Sequence, residues 1–343
     1  MARLLRRLVV LAGAGAALLL KPAERLSAAE KGRGRDARSP AEIPARGWKD
    51  ILLRTGKEFS EDEIPLIAAG VTFYTLLALF PALGAIVALY GLFADVLAAQ
   101  RHLQLFAFLL PPDTVEFIGE QMVRIATASE GGLSLAFFSG LLASIWSANG
   151  AAKALITGLN IAYEEKEKRG FVHKTLISLA FTLGLIVFVL GGFAVIALSP
   201  TIDSLAGRSA GMVFRLISWP LLPLGMAAGL ALLYRFGPSR DHVRWSWISW
   251  GSAAAVILWA AVSAGFSLYV GQFGNYDDTY GPLGAVIGFM MWIWLSSLVV
   301  LAGAELNSEI EHQTAVDTTV GAPKPLGLRR ARMADTVGAA QGR

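Results

Sequence analysis

Between Thr279 and Ala304 the chain has 26 consecutive residues without a charge. A helix of that length outruns the roughly 30 Å hydrocarbon core of a bilayer, at 1.5 Å per residue. Inside lipid every backbone N–H and C=O must find a partner, which a helix provides within one segment. A polar turn, Gln272 to Tyr280, leads into the run, and Glu305, Asn307, Glu309 and Glu311 follow it. The stretch predicts a transmembrane helix with both ends marked. Only 16% of the 343 residues are charged, against about 25% in soluble domains. Cysteine is absent, which removes disulfides, thiolate metal sites and cysteine nucleophiles.

Five further runs repeat the pattern: Ile64 to Ala94, Gly131 to about Tyr163 (broken only by Lys153), Thr175 to about Ser199, Met212 to Tyr234, and Trp245 to Val270. The final span then covers about Pro282 to Leu306. The fold expected is all-α, a polytopic membrane protein with six transmembrane helices plus amphipathic surface helices. Pro81 and Pro220 lie inside spans, where bends are expected.

Lys and Arg of the short loops set the orientation. Arg46, Lys49, Arg54 and Lys57 precede span one. Lys166, Lys168, Arg169 and Lys174 lie between spans two and three, and Arg235, Arg240 and Arg244 between four and five. The alternate loops hold few. Both termini are therefore expected in the cytoplasm, with six crossings between them. Trp245, Trp247 and Trp250 fit an aromatic belt at the inner boundary.

Three regions are expected. Residues 1–47 form an N-terminal extension with a short apolar helix and a basic linker. The apolar run, Leu8 to Leu20, reads as a marginally inserted helix, as an extension from an upstream start, or as a cleaved signal. Residues 48–312 form the membrane domain, and 313–343 a disordered cytoplasmic tail. Trp48, Ile51, Leu52, Thr55 and Phe59 recur at helical spacing, which suits a surface helix or an ordinary packing helix. Val115, Ile118, Met122 and Ile125 suggest a second amphipathic helix in the first outer loop, after Asp113.

No constellation carries chemistry. His102, His173, His242 and His312 stand apart, and no metal-binding spacing or phosphate-binding loop occurs. No cofactor and no enzymatic activity are expected. Gly225 with Gly229, and Gly284 with Gly288, have the spacing that lets membrane helices approach. Trp292 and Trp294 lie mid-span, either facing lipid or lining a cavity. The outer turn is rich in aromatic and acidic residues, and Asn275, Tyr276, Asp277 and Tyr280 are candidate substrate or gate residues. Lys153, Glu305, Asn160 and Asn307 are candidates for an interhelical polar contact. Counting the rise along spans two and six brings Lys153 and Glu305 to similar depth. They are expected to pair directly, or Lys153 snorkels and Glu305 meets Asn160, Asn307 or a loop arginine.

Several motifs resemble one family. Phe73-Tyr-Thr-Leu-Leu-Ala-Leu-Phe-Pro81, Ile145-Trp-Ser-Ala148, Ala154-Leu-Ile156 and Asn160 to Tyr163 are similar to those of the YihY/BrkB family of bacterial inner-membrane proteins. So are Tyr234-Arg-Phe-Gly-Pro238, Thr279-Tyr-Gly-Pro-Leu-Gly284 and Gly303-Ala-Glu-Leu-Asn307. The resemblance covers about residues 48 to 312. It implies six helices in the inner membrane, and relatives have carried labels as different as ribonuclease BN and serum-resistance factor, with envelope-lipid transport also suggested. The function expected is to move or accommodate an amphiphilic, lipid-like envelope substrate; the alternatives are a membrane scaffold in envelope assembly and, third, a ribonuclease. The partners expected are the lipid bilayer, such a substrate, and a second copy or an envelope protein, with no nucleic acid.

Overall fold

The computed structural model describes residues 30–93, 116, 119–120, 133–273 and 282–341. The short apolar run near the N-terminus lies outside them. So do Asn275, Tyr276, Asp277 and Tyr280, and all but three residues of the expected outer amphipathic helix. The described residues are helical with turns and a single isolated bridge, Val243 to Thr319. The long helices are α1 (Ala45–Glu61), α2 (Ile64–Phe93), α3 (Leu133–Ala162), α4 (Phe171–Phe236), α5 (Ser249–Phe273) and α6 (Pro282–His312).

α4 is two helices joined at Gly207. Its φ of 84° and ψ of 163° interrupt the helix in a region that glycine alone enters readily. The two arms fold back on each other: Gly225 lies against Phe188 and Gly192 against Leu222, pairs that sit nearly symmetrically about residue 207. The break is at a glycine, not a proline; helix assignment continues through Pro81, Pro220 and Pro223. Three outgoing and three returning segments result: α2 and α3, the two arms of α4, and α5 and α6. The starts of the outgoing segments and the ends of the returning ones meet at one polar face. Among the described residues four helices are long and apolar enough to cross a membrane: Phe171–Gly192, Ser209–Phe236, Trp245–Val270 and Val286–His312. A fifth is added if the bent pair Ala45–Glu61 and Ile64–Leu79 counts as one span.

α6 is the centre of the bundle and packs on α1, α2, α3 and α5. Its approach to α5 is close because two glycines face each other. A Cβ on Gly303 would fall 2.5 Å from the Tyr234 hydroxyl and 2.8 Å from Ala255 Cβ. A Cβ on Gly251 would fall 2.4 Å from Asn307 Oδ1. By contrast, Gly229 and Gly288, each half of an expected small-residue pair, have nothing within 4 Å of the position a Cβ would take. The contact pairs single glycines from two helices, so spacing within one helix did not reveal it. Gly303→Leu should cost about 1–3 kcal/mol or more by overpacking. Gly288→Ala should gain up to about 1 kcal/mol from helix propensity. Thermal unfolding of the detergent-solubilised variants ranks the two; equal shifts would contradict this packing.

Side-chain contacts sharpen three further expectations. α1 buries Gly47, Asp50, Ile51 and Arg54 against the bundle, while Leu52 is 60% exposed. Its inner face is thus partly ionic, because Arg54 has an acidic partner on α6. Trp247 is fully buried, so of the expected belt only Trp245 and Trp250 face outward. Trp294 donates from Nε1 to Pro65 O at 3.0 Å, and Trp292 meets Trp259 edge-on at 6.2 Å. Both tryptophans therefore tie helices together.

The expected disordered tail is ordered across 313–341. Ala315 N–H donates to Arg35 O at 2.8 Å, and Gly338 N–H to His312 O at 2.8 Å. Met333 and Ala334 are buried. The basic linker is ordered from residue 30 onward, where Arg35 reaches Gln313 O at 3.0 Å and Gly338 O at 2.7 Å. Its glycines and arginines read as a linker by composition, yet their partners lie hundreds of residues away.

Candidate functional site

The acidic end of α6 was expected to mark the exit from the membrane. It is also among the most buried stretches of the described residues: Glu305, Asn307, Ser308, Glu309 and Glu311 are all buried. Helix geometry explains how four polar side chains are accommodated. Glu305 and Glu309 are four residues apart and share one face, while Asn307 and Glu311 share another. Each face meets a different set of partners.

The first face meets α1 and the turn before α2. Arg54 Nε pairs with Glu309 Oε2, and Arg54 Nη2 donates to Gln313 Oε1 at 2.7 Å. Arg54 Nη1 reaches Ala339 O at 3.0 Å, so the tail closes over this pair. Glu305 lies against Asp62, carboxyl to carboxyl, with its Oε1 buried and without a hydrogen-bond partner. Burial raises the pKa of Asp62 above the usual value, Glu164 and Glu61 add to this, and the hydrogen bond from Glu305 opposes it. Asp62 is placed there by Glu63, whose left-handed φ of 50° turns the chain from α1 into α2.

The second face meets α5 and the loop before it. Asn307 Oδ1 accepts from Gly251 N–H at 2.9 Å. Gly251 is in the first turn of α5, where the N–H groups have no partner within the helix. Asn307 therefore caps α5 from a neighbouring helix. Arg240 Nη1 donates to Glu311 Oε2 at 2.7 Å with both side chains buried, and Thr318 Oγ1 donates to Glu311 Oε1 at 2.6 Å. The Arg240 guanidinium lies 4.0 Å over the Tyr163 ring. The Tyr163 hydroxyl stands beside Asn307. Tyr163 Oη, Asn307 Nδ2, and Arg240 Nε and Nη2 have no hydrogen-bond partner of ordinary geometry.

Asn160 ties the end of α3 to two loops. Its Oδ1 accepts from Ser239 N–H at 2.7 Å, and its Nδ2 donates to Glu167 Oε2 at 3.1 Å. Burial pushes the Glu167 carboxyl up, but hydrogen bonds and charge from Arg169, with help from Asn160, bring it down to about 2.

The structure does not join Lys153 to Glu305. Lys153 Nζ lies 5.1 Å from the centre of the Phe171 ring, at the start of α4. Counting rise gives depth along a helix but says nothing of azimuth. Lys153 leans toward α4, whereas Glu305 turns to Asp62. Asn160 and Asn307 each make a contact between elements, but not with Lys153 or Glu305. Asp62, Arg240 and Tyr163 were missing from the candidates. A basic loop residue reads as an orientation signal, and sequence offers no sign of which one folds inward.

Glu305→Gln keeps a donor for Asp62 and is expected to stay within about 1 kcal/mol of the parent, whereas Glu305→Leu leaves Asp62 unpartnered at a cost of about 1–3 kcal/mol. With the Asp62 pKa raised on folding, the folded state binds the extra proton, so its contribution weakens as pH rises from about 4. Unfolding temperatures across pH check both; equal melting of the Gln and Leu variants would rule out a polar contact between Glu305 and Asp62.

Among the described residues no group of three His, Asp or Glu could hold a metal ion. Several apolar helices, a buried ionic layer at one end and a tail folded over it define an all-helical, polytopic membrane protein. The chain belongs to the Virulence factor BrkB family, whose model matches residues 55–325. A Bacillus subtilis protein named "Putative ribonuclease-like protein YfkH" is 28% identical over 247 residues, covering 70% of this chain and 88% of that one. A UPF0761 membrane protein of Tolumonas auensis is 26% identical over 258 residues, 73% of this chain and 81% of its own length. Another, from Verminephrobacter eiseniae, is 31% identical over 276 residues, 76% of this chain and 62% of its own. No solved structure matches.

Proposed function

We propose that the chain crosses the bacterial inner membrane six times, with its polar face in the cytoplasm, and moves or accommodates an amphiphilic, lipid-like substrate. Three outgoing and three returning segments support the count, and the basic loops gathered at one face support the orientation. The observation that carries the lipid reading lies on α2 and α3. Phe73 and Leu77 on one helix, and Phe138, Leu142 and Trp146 on the other, are exposed at four-residue spacing. α2 and α3 run antiparallel with Tyr74 against Gly150, so Leu77 and Trp146 lie at similar depth, with Phe73 about a turn nearer the polar face. Behind them Asn149 is buried with its Oδ1 unpartnered. It lies 13 residues before Ala162, about 20 Å along the helix from the polar face. An aromatic stripe open to lipid, backed by a polar acceptor at membrane depth, suits an amphiphile better than a hydrated ion.

The reading assigns no reaction to the chain. The ribonuclease-like name belongs to the Bacillus relative. Here His173, His242 and His312 lie at the start of α4, beside Phe236 and beside Glu309, as three separate settings. A scaffold is the second reading, favoured by Val320 and Leu328, which the ordered tail holds exposed as a surface for a partner. Purified protein in vesicles carrying a fluorescent phospholipid separates the two. Exchange between leaflets above the protein-free rate, lowered by Trp146→Ala and Asn149→Leu, is the expected result. Exchange at the protein-free rate would overturn lipid movement and leave the scaffold.

A further inference from the structure

Arg235 stands apart from the other arginines of the polar face. Arg169 pairs with Glu167, Arg240 with Glu311, and Arg244 donates to Thr319 O. Arg235 has aromatic neighbours alone: its guanidinium carbon is 4.2 Å from the centre of the Trp245 ring and 5.5 Å from that of Phe236. Its Nε and Nη1 are buried and have no hydrogen-bond acceptor. The nearby acids are engaged elsewhere, Asp241 with Lys324 and Glu311 with Arg240 and Thr318. A cation with free N–H groups is costly to hold in place unless something accepts from it.

Its position says what that something is. Arg235 closes the last turn of α4, and Leu224, Ala228, Leu232 and Arg235 follow one another at spacings of four, four and three along one face. Leu224, Ala228 and Leu232 are exposed, so this face meets acyl chains and ends on a guanidinium. Trp245, 51% exposed, stands beside it at the level where tryptophan meets headgroups. We propose that Arg235 and Trp245 form a site for the phosphate of an anionic phospholipid, whose chains lie along Leu232 and Leu224. The guanidinium supplies a fixed positive charge for the phosphate, and the ring faces hold it in orientation. The site depends on α4 crossing the membrane; it does not depend on lipid movement between leaflets.

Native mass spectrometry of the full chain, extracted with phosphatidylglycerol or phosphatidylcholine, tests it. In phosphatidylcholine the headgroup's own ammonium offsets the phosphate charge. The expected result is one phosphatidylglycerol retained per chain under activation that strips phosphatidylcholine. Arg235→Gln should weaken that retention about tenfold or more, the effect of losing a charge-assisted hydrogen bond. Arg235→Lys should restore part of it. Undiminished retention in the Gln variant overturns the proposal, as does displacement of the lipid by an equal concentration of inorganic phosphate, which would make this a soluble-anion site. Trp245→Leu leaves the arginine in place and serves if the Gln variant does not fold. Several-fold weaker retention supports the site, and unchanged retention overturns it.

Discussion

Glu311→Ala is expected to destabilise the protein by about 3–5 kcal/mol, among the largest effects of any single substitution at the polar face. The variant leaves the Arg240 guanidinium buried without a counter-charge and Thr318 without its acceptor. Arg240, in the loop between α4 and α5, is buried and stacked on Tyr163, so reaching water would require that contact to break. Arg240→Met alone is milder, since its apolar stem replaces the stacked group, but it strands Glu311. The double variant Arg240→Met with Glu311→Leu should recover much of the loss, because a buried ion pair often contributes little beyond a well-packed apolar pair. Unfolding temperatures of the three variants and the parent form a double-mutant cycle. Additive losses would show that the two side chains do not act as a unit.

Deleting residues 313–343 should reduce folded protein by more than any point substitution. The deletion removes Gln313 O and Gly338 O from Arg35, Gln313 Oε1 and Ala339 O from Arg54, and Thr318 from Glu311. Each charged donor stranded in a buried setting costs about 1–3 kcal/mol, so a loss above about 3 kcal/mol is expected. A disordered tail would be shed without consequence. The fraction of monodisperse protein after extraction, measured by fluorescence-detected size exclusion, distinguishes the two outcomes.

Four of the membrane helices, or five with the bent pair, were legible because lipid imposes a simple rule of length and apolarity that their sequences obey. The return of α4 at Gly207 appeared only as a gap between two apolar runs. The polar face was much less legible. Its contacts are ionic and long-range, such as Arg54 with Glu309 and Arg240 with Glu311, and ionic partners leave no periodicity behind them. Glu305 and Lys153 show the limit most clearly. Their depth followed from residue counts, but their partners are set by the rotation of each helix about its axis, which packing decides. The tail was misread for a related reason: Gly, Pro and Arg are typical of linkers, and here they close a lid over buried carboxylates.

The central claim is that three outgoing and three returning helical segments gather the charged loops on the cytoplasmic side. The chain has no cysteine, so single cysteines can be placed on a silent background. Lys166→Cys and Asp241→Cys, in the loops after α3 and after α4, should react with a membrane-impermeant maleimide only once the inner membrane is opened. Asp277→Cys, in the segment between α5 and α6, should react in intact spheroplasts. Labelling of position 166 or 241 from outside, or of 277 only from within, would contradict the account.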